Sequence, residues 1–192
     1  MIDYPLPLVG FCAFSGTGKT TLLTRLLPLL KLRGLRVGVV KHAHHLFDID
    51  YPGKDSYELR LAGASQMLVA SRKRMAWVKE SQENRPEPVL EEALLALETE
   101  HLDLVLIEGF KQAAIPKIEL HRPALGKPLM YPAMPNIIAI ATDAPLADKN
   151  INLPLLSLNQ PVEIAEFIIE TILQPHNATK LLPIEKEASH VN

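Results

Sequence analysis

The run Ala13-Phe14-Ser15-Gly16-Thr17-Gly18-Lys19-Thr20-Thr21 constrains the fold of this chain more than any other segment. It follows the apolar Leu8-Val9-Gly10-Phe11-Cys12, which reads as a buried strand. It precedes Leu22, Leu23, Leu26, Leu27 and Leu30, an apolar stripe at helical spacing. Strand, glycine-rich turn and helix, in that order, is the setting in which a loop of backbone amides cradles phosphate. Gly16 and Gly18 allow the backbone to curl with its N–H groups facing inward, and the helix beginning near Lys19 adds its positive end. In such a loop the candidate phosphate contacts are Ser15, Gly16, Thr17, Gly18, Lys19, Thr20 and Thr21. Lys19 bridges the β and γ phosphates, and Thr20 places a hydroxyl on Mg²⁺. The pattern departs at its first glycine, here Ala13, a residue that restricts positive φ. The dinucleotide-binding spacing Gly-x-Gly-x-x-Gly fails, because its third glycine is Thr21.

Short apolar runs alternate with helical patterns along the chain, which predicts an α/β fold: a mostly parallel sheet flanked by helices, of the P-loop NTPase type, with an added β-hairpin. The first helix is expected over 19–33, closed by Gly34, and a second strand over 36–41. A polar loop runs from His42 to about Lys54. A short helix starts at Asp55-Ser56 and ends at Gly63. The stretches 66–70 and 75–79 pair as a hairpin around the basic turn Ser71-Arg72-Lys73-Arg74. Past a polar break at 82–88, a helix is expected over 89–97, strands over 102–107, 115–120 and 136–141, and a closing helix over 164–173. A length of 192 residues suits one domain, 1–173, followed by an aperiodic tail, 174–192. A net charge of −2 gives no electrostatic footprint for nucleic acid. The single cysteine, Cys12, falls in the first strand and reads as a buried thiol. With no long uncharged apolar run and no signal-peptide pattern, the expected location is the cytoplasm, with no membrane contact.

Other residues carry chemistry. The most apolar strand ends in Glu108-Gly109-Phe110. An acid at the carboxyl end of a buried strand in a P-loop protein is the expected Mg²⁺-water position, so Glu108 joins Lys19 as a catalytic candidate and Thr20 as a metal candidate. In the loop after the second strand, Asp48 or Asp50 can orient a water or bind Mg²⁺, and Asp50 is carried forward as the third catalytic candidate. Lys54 can reach phosphate, and Asp55 reads as a helix cap. His42, His44 and His45 suggest zinc, but with no cysteine nearby and no evident fourth ligand, solvent or substrate contacts are the expected role. The basic turn reads as a solvated hairpin tip, with an anion contact as the sharper alternative; Trp77 is either core or an interface anchor. Asp143, after the strand ending Ala139-Ile140-Ala141-Thr142, can accept from guanine N1 and N2, a pair of donors that adenine does not present.

Taken together, several segments resemble the family of molybdopterin-guanine dinucleotide biosynthesis protein B (MobB). They are Phe14 to Thr21, Val40-Lys41-His42 with His44-His45, Asp50-Tyr51-Pro52-Gly53-Lys54-Asp55-Ser56, Ala62-Gly63-Ala64, and Ile107-Glu108-Gly109-Phe110-Lys111. The Pro-Gly-Lys-Asp-Ser and Glu-Gly-Phe-Lys segments are the specific part, and the resemblance covers roughly residues 7–173. It implies a GTP-binding homodimer of low GTPase activity with Mg²⁺ as cofactor. It also implies an adapter role in molybdenum cofactor synthesis, beside a guanylyltransferase partner (MobA) that joins GMP to molybdopterin. Carried over by motif, the phosphate loop is Ser15 to Thr21 and the acidic Mg²⁺ partner is Glu108. P-loop GTPases of metallocentre assembly often carry an early loop lysine. Phe14 stands at that place here, which fits slow hydrolysis, and Arg60, Arg72 or Arg74 are the cations available to offset transition-state charge. Two other classes compete with the adapter: a small-molecule kinase built on the same loop, and a metal-delivery GTPase using the histidines.

Overall fold

The computed structural model describes residues 2–43, 47–81 and 85–180, with side chains through residue 177. In chain order the elements are β1 (Leu8–Cys12), α1 (Lys19–Leu32), β2 (Val37–Lys41), α2 (Asp55–Leu61), β3 (Gln66–Ala70), β4 (Met75–Lys79), α3 (Leu90–Leu94), β5 (Leu104–Glu108), β6 (Lys117–His121), β7 (Ile137–Thr142), β8 (Leu155–Ser157), α4 (Pro161–Ile168) and α5 (Gln174–Lys180). They fall into two compact units, Ala43–Pro88 and the remainder.

The larger unit is a six-stranded parallel sheet in the order β2-β5-β1-β6-β7-β8. Parallel strands bury both faces, and the alternation of each strand sorts its side chains between two cores. Val9 and Phe11 of β1, Leu104 and Leu106 of β5, Ile118 and Leu120 of β6 and Ala139 and Ala141 of β7 meet the stripe Leu22, Leu23, Leu26 and Leu30 of α1 and Ile164, Ala165 and Ile168 of α4. Leu8, Val105 and Ile107 turn to the other face, where α3 supplies Leu90 and Leu94. The central strands β1 and β5 are thereby clamped from both sides, and their carboxyl ends, at Cys12 and Glu108, are fixed next to each other: Phe11 pairs with Glu108.

The sequence misplaces several boundaries. β5, β6 and β7 each begin a residue or two later than expected. The helix expected over 89–97 is regular only over Leu90–Leu94, after which Ala96 and Leu97 make tighter i→i−3 bonds to Ala93 and Leu94. The last helix starts earlier, at Pro161, where a proline at the first helical position loses no needed hydrogen bond. It then passes through a π-helical turn (Ile169–Leu173) into α5, seven residues into the stretch expected to be an aperiodic tail; 181–192 lie outside the described residues. β8 had no counterpart in the sequence reading. It is three residues long, too short for an alternation to register.

The smaller unit carries α2 and the antiparallel hairpin of β3 and β4, registered from Gln66 opposite Lys79 to Ala70 opposite Met75. Arg60 of α2 holds it together, pairing with Asp48 at 2.9 Å and Glu80 at 2.7 Å. The Ser71 amide closes the tip on the Arg74 carbonyl at 2.8 Å. Asp55 does not cap α2. Lys54 holds the cap position with extended backbone and no side-chain cap bond, and Asp55 lies one step inside, in the first turn, where its charge meets the helix dipole.

Candidate functional site: a phosphate cradle at the end of β1

Between Cys12 and Lys19 the chain makes one tight loop, and its geometry follows from its residues. Gly16 and Gly18 take φ of 82° and 95°, a region closed to most side chains. A Cβ on Gly16 would meet nothing within 4 Å, so conformation rather than space requires glycine there. The Phe14 carbonyl accepts both the Thr17 amide (3.3 Å) and the Thr17 hydroxyl (2.8 Å), which closes the turn. Ala13 stands without strain. Phe110 and Asn136 are the non-glycine described residues with positive φ, so the missing first glycine imposes no penalty on the backbone. Phe14 to Thr21 line an open cavity of about 360 Å³. α1 begins at its edge with no side-chain cap on Gly18 and no acidic residue in its first turn. Its leading amides are therefore available to an anion.

Charge gathers around Lys19, at the end of this loop. Lys19 Nζ lies 3.1 Å from one oxygen of Glu108, and Lys41 Nζ lies 3.6 Å from the other. Glu108 terminates β5 between β1 and β2, so the parallel register itself sets it opposite Phe11 and Lys41. The turn beyond it is tightly built. Gly109 has φ of 89°, and a Cβ there would lie 2.7 Å from the His42 Cβ. Phe110 has φ of 47°, a costly state for a bulky residue. Its ring stacks on His42 at 4.7 Å between centroids, and the His42 amide donates to the Glu108 carbonyl at 2.8 Å. These contacts offset the strain and fix the direction in which Glu108 leaves the strand.

A third group approaches from β6 and β7. Asp143, just past β7, accepts from Arg122 Nη1 at 2.5 Å through one oxygen, while its other oxygen is buried with no partner among the described residues. Arg122 Nε donates to the Thr17 carbonyl at 2.7 Å. The sequence gives no role to Arg122 and names Lys41 only within the Val40-Lys41-His42 segment. Each directly follows or ends a strand near β1, and charged residues in that register of a parallel sheet gather at the ligand edge.

The remaining expectations divide. Asp50 belongs to the smaller unit, where its carboxylate accepts from the Tyr51 amide at 3.0 Å and its own amide donates to Asp48 at 3.2 Å. Arg60 is committed to Asp48 and Glu80 in the same unit. His44 and His45 lie outside the described residues. Among the described residues, no group of three or more His, Cys, Asp or Glu forms a metal-binding cluster. Cys12 is the buried thiol expected of it: burial pushes its pKa up to about 12, with Glu119 adding to the rise. Glu119 is fully buried, which raises its pKa, and its carboxylate accepts from the amides of Met130 (2.7 Å) and Tyr131 (2.9 Å), anchoring the loop after β6.

Thr20 and Glu108 offer a hydroxyl and a carboxylate, hard oxygen donors. That set suits Mg²⁺ completed by phosphate oxygens and water, and does not suit a thiolate- or imidazole-bound metal. No helix among the described residues is long and apolar enough to cross a membrane.

A sequence profile for molybdopterin guanine dinucleotide synthesis protein B matches residues 8–143, a stretch that contains both the cradle and Asp143. The chain is 46% identical over 168 residues to the molybdopterin-guanine dinucleotide biosynthesis adapter protein of Escherichia coli, covering 86% of this chain and 93% of that one. It is 42% identical over 175 residues to the Haemophilus influenzae protein of the same name, covering 90% and 93%. A crystal structure of molybdopterin-guanine biosynthesis protein B superposes with a TM-score of 0.65 at 27% identity, over 85% of this chain and 99% of that one. Bacillus subtilis MobB does so with a TM-score of 0.66 at 25% identity, over 87% and 98%.

Proposed function

The chain belongs to the molybdopterin guanine dinucleotide synthesis protein B family, and we propose that within it the protein acts as a GTP-binding adapter of slow turnover. It serves, as a homodimer, the guanylyltransferase (MobA) that joins GMP to molybdopterin. The observation that carries the nucleotide reading is the loop cavity itself, lined by Lys19, whose ammonium pairs with Glu108, and opening at the uncapped first turn of α1. A polyphosphate in the cradle takes hydrogen bonds from the loop amides and competes with Glu108 for Lys19. Thr20 and Glu108 are the residues that would hold Mg²⁺, which would supply neutralising charge for the phosphate oxygens. Lys41 keeps a cation on Glu108 when Lys19 turns to phosphate.

Slow turnover is supported by two arginines that are already engaged; Arg72 and Arg74, the other candidates, are exposed at the hairpin tip. Stabilising the transferring phosphoryl group needs a mobile guanidinium. Arg122 is held by Asp143 and Thr17, and Arg60 by Asp48 and Glu80. Guanine selectivity falls to Asp143, whose unpartnered buried oxygen is an acceptor for a ring N–H.

The test is calorimetric titration with GTP and ATP in Mg²⁺, with hydrolysis followed in the same samples. The expected result is selective GTP binding with very slow release of GDP. ATP preference, or rapid turnover on adding a small acceptor, would replace the adapter with a kinase.

A further inference from the structure

We propose that Arg122 is a positioning residue for the phosphate cradle: one guanidinium that fixes the Thr17–Gly18 peptide on one side and Asp143 on the other. The inference rests on the reading of this loop as a phosphate site, and it names how that site is held open.

The argument begins with the peptide group. A trans peptide points its C=O and its N–H in opposite directions. Arg122 Nε holds the Thr17 carbonyl at 2.7 Å, so the Gly18 N–H of the same peptide is turned away from Arg122. Arg122 Nη2 and Nε lie 3.5 and 3.9 Å from where a Cβ on Gly18 would be, so the guanidinium packs against this glycine. Gly18 lines the cavity, and an N–H turned away from Arg122 is the one the proposal assigns to the anion. Without that anchor, Gly18, free in φ, permits a peptide flip that would present a carbonyl to the ligand.

The other end of the fork is equally defined. Nη1 donates to Asp143 Oδ2 at 2.5 Å, and the planar guanidinium makes both bonds from one rigid plane. A lysine has the charge but not the two-sided geometry. Asp143 Oδ1, buried and unpartnered, remains an acceptor on the far side of the same carboxylate. A ligand group that pulls on Asp143 therefore pulls on the cradle through Arg122, which joins recognition at Asp143 to recognition of phosphate.

The test uses inorganic tripolyphosphate with Mg²⁺, which has no base. Its affinity, and the shift of the Gly18 amide resonance on binding, are measured in the wild-type protein, Arg122→Lys and Arg122→Gln. Both variants are expected to bind at least about tenfold more weakly, as for loss of a charged hydrogen bond, and to lose the Gly18 response. A variant with a lowered thermal midpoint but wild-type tripolyphosphate affinity and Gly18 shift would overturn the proposal, since that is the signature of a merely structural residue. Should both arginine variants fail to fold, Asp143→Asn keeps the acceptor and removes its charge. A severalfold loss of tripolyphosphate affinity is expected there, and none would overturn the proposal. Failure of the GTP reading shows separately, as equal wild-type affinity for GTP and ATP with the Arg122 effect intact. A wild-type protein that binds no tripolyphosphate would remove the cradle and this proposal with it.

Discussion

Glu108 holds two ammonium groups at once, and the consequences can be measured at single residues. Lys19 is about three-quarters buried against its partner. Lys19→Ala removes the cation that a β,γ-phosphate pair requires while leaving Lys41 on Glu108, so the fold is retained. Triphosphate binding is expected to vanish from calorimetry with an unchanged circular dichroism spectrum, and normal affinity would sink the site assignment. Asp103 offers a pH test away from the site. Arg36 donates to it from its backbone amide (2.8 Å), Nε (3.0 Å) and Nη2 (2.9 Å), and these bonds lower its pKa below the ordinary 3.8. A depressed carboxylate contributes stability above its unfolded pKa and loses it as pH falls through the folded value. Asp103→Asn should thus lower the urea midpoint at neutral pH, and the gap to wild type should close in strong acid. A gap that persists there would deny the pair its role. Lys19 was readable from the glycine motif and Glu108 from its place at the end of an apolar strand, since both signals are local. Arg122 was not, since its partner Thr17 is 105 residues away and only the sheet brings them together.

At the scale of elements, the β5 turn is the least forgiving part of the site. Gly109 combines positive φ with a neighbour that leaves no room for a methyl group. Gly109→Ala is expected to cost about 1–3 kcal/mol in chemical denaturation, from strain and displacement of His42 together. An effect within a few tenths would mean that the Glu108-Gly109-Phe110 turn adapts freely. α1 and the hairpin were legible because each carries a strong local signal: a leucine stripe at 3.6 spacing, and two alternating runs around a basic turn. α3, β8 and the run-on from α4 into α5 were not. Each is short or extends past its apolar pattern, and its limits are set by packing on the sheet and by hydrogen bonds made across it.

At the scale of the whole molecule, the hairpin leaves an apolar face exposed. Leu68 and Trp77 are directly paired on one face of the hairpin, exposed at 57% and 49%, with Met75 beside them at 67%. A two-stranded ribbon is marginal alone, and an apolar face of this kind marks an interface. For the proposed homodimer, Trp77→Ala should shift sedimentation at low micromolar concentration toward the monomer; an unchanged profile would take this face out of the interface. The sequence by itself determined the α/β class, the glycine-rich turn between strand and helix with Lys19 and Thr20 at its end, and Glu108 as the acid at a strand end. All of these are encoded in periodicity and spacing within a few residues. Only the tertiary structure decided that Ala13 is tolerated, that Glu108 is shared between Lys19 and Lys41, and that Arg122 ties Thr17 to Asp143. Those facts depend on strand order and parallel register, which set residues from β1, β2, β5, β6 and β7 at one edge of the sheet. No local pattern carries that information, because the energy selecting the order comes from burying both faces of the sheet at once.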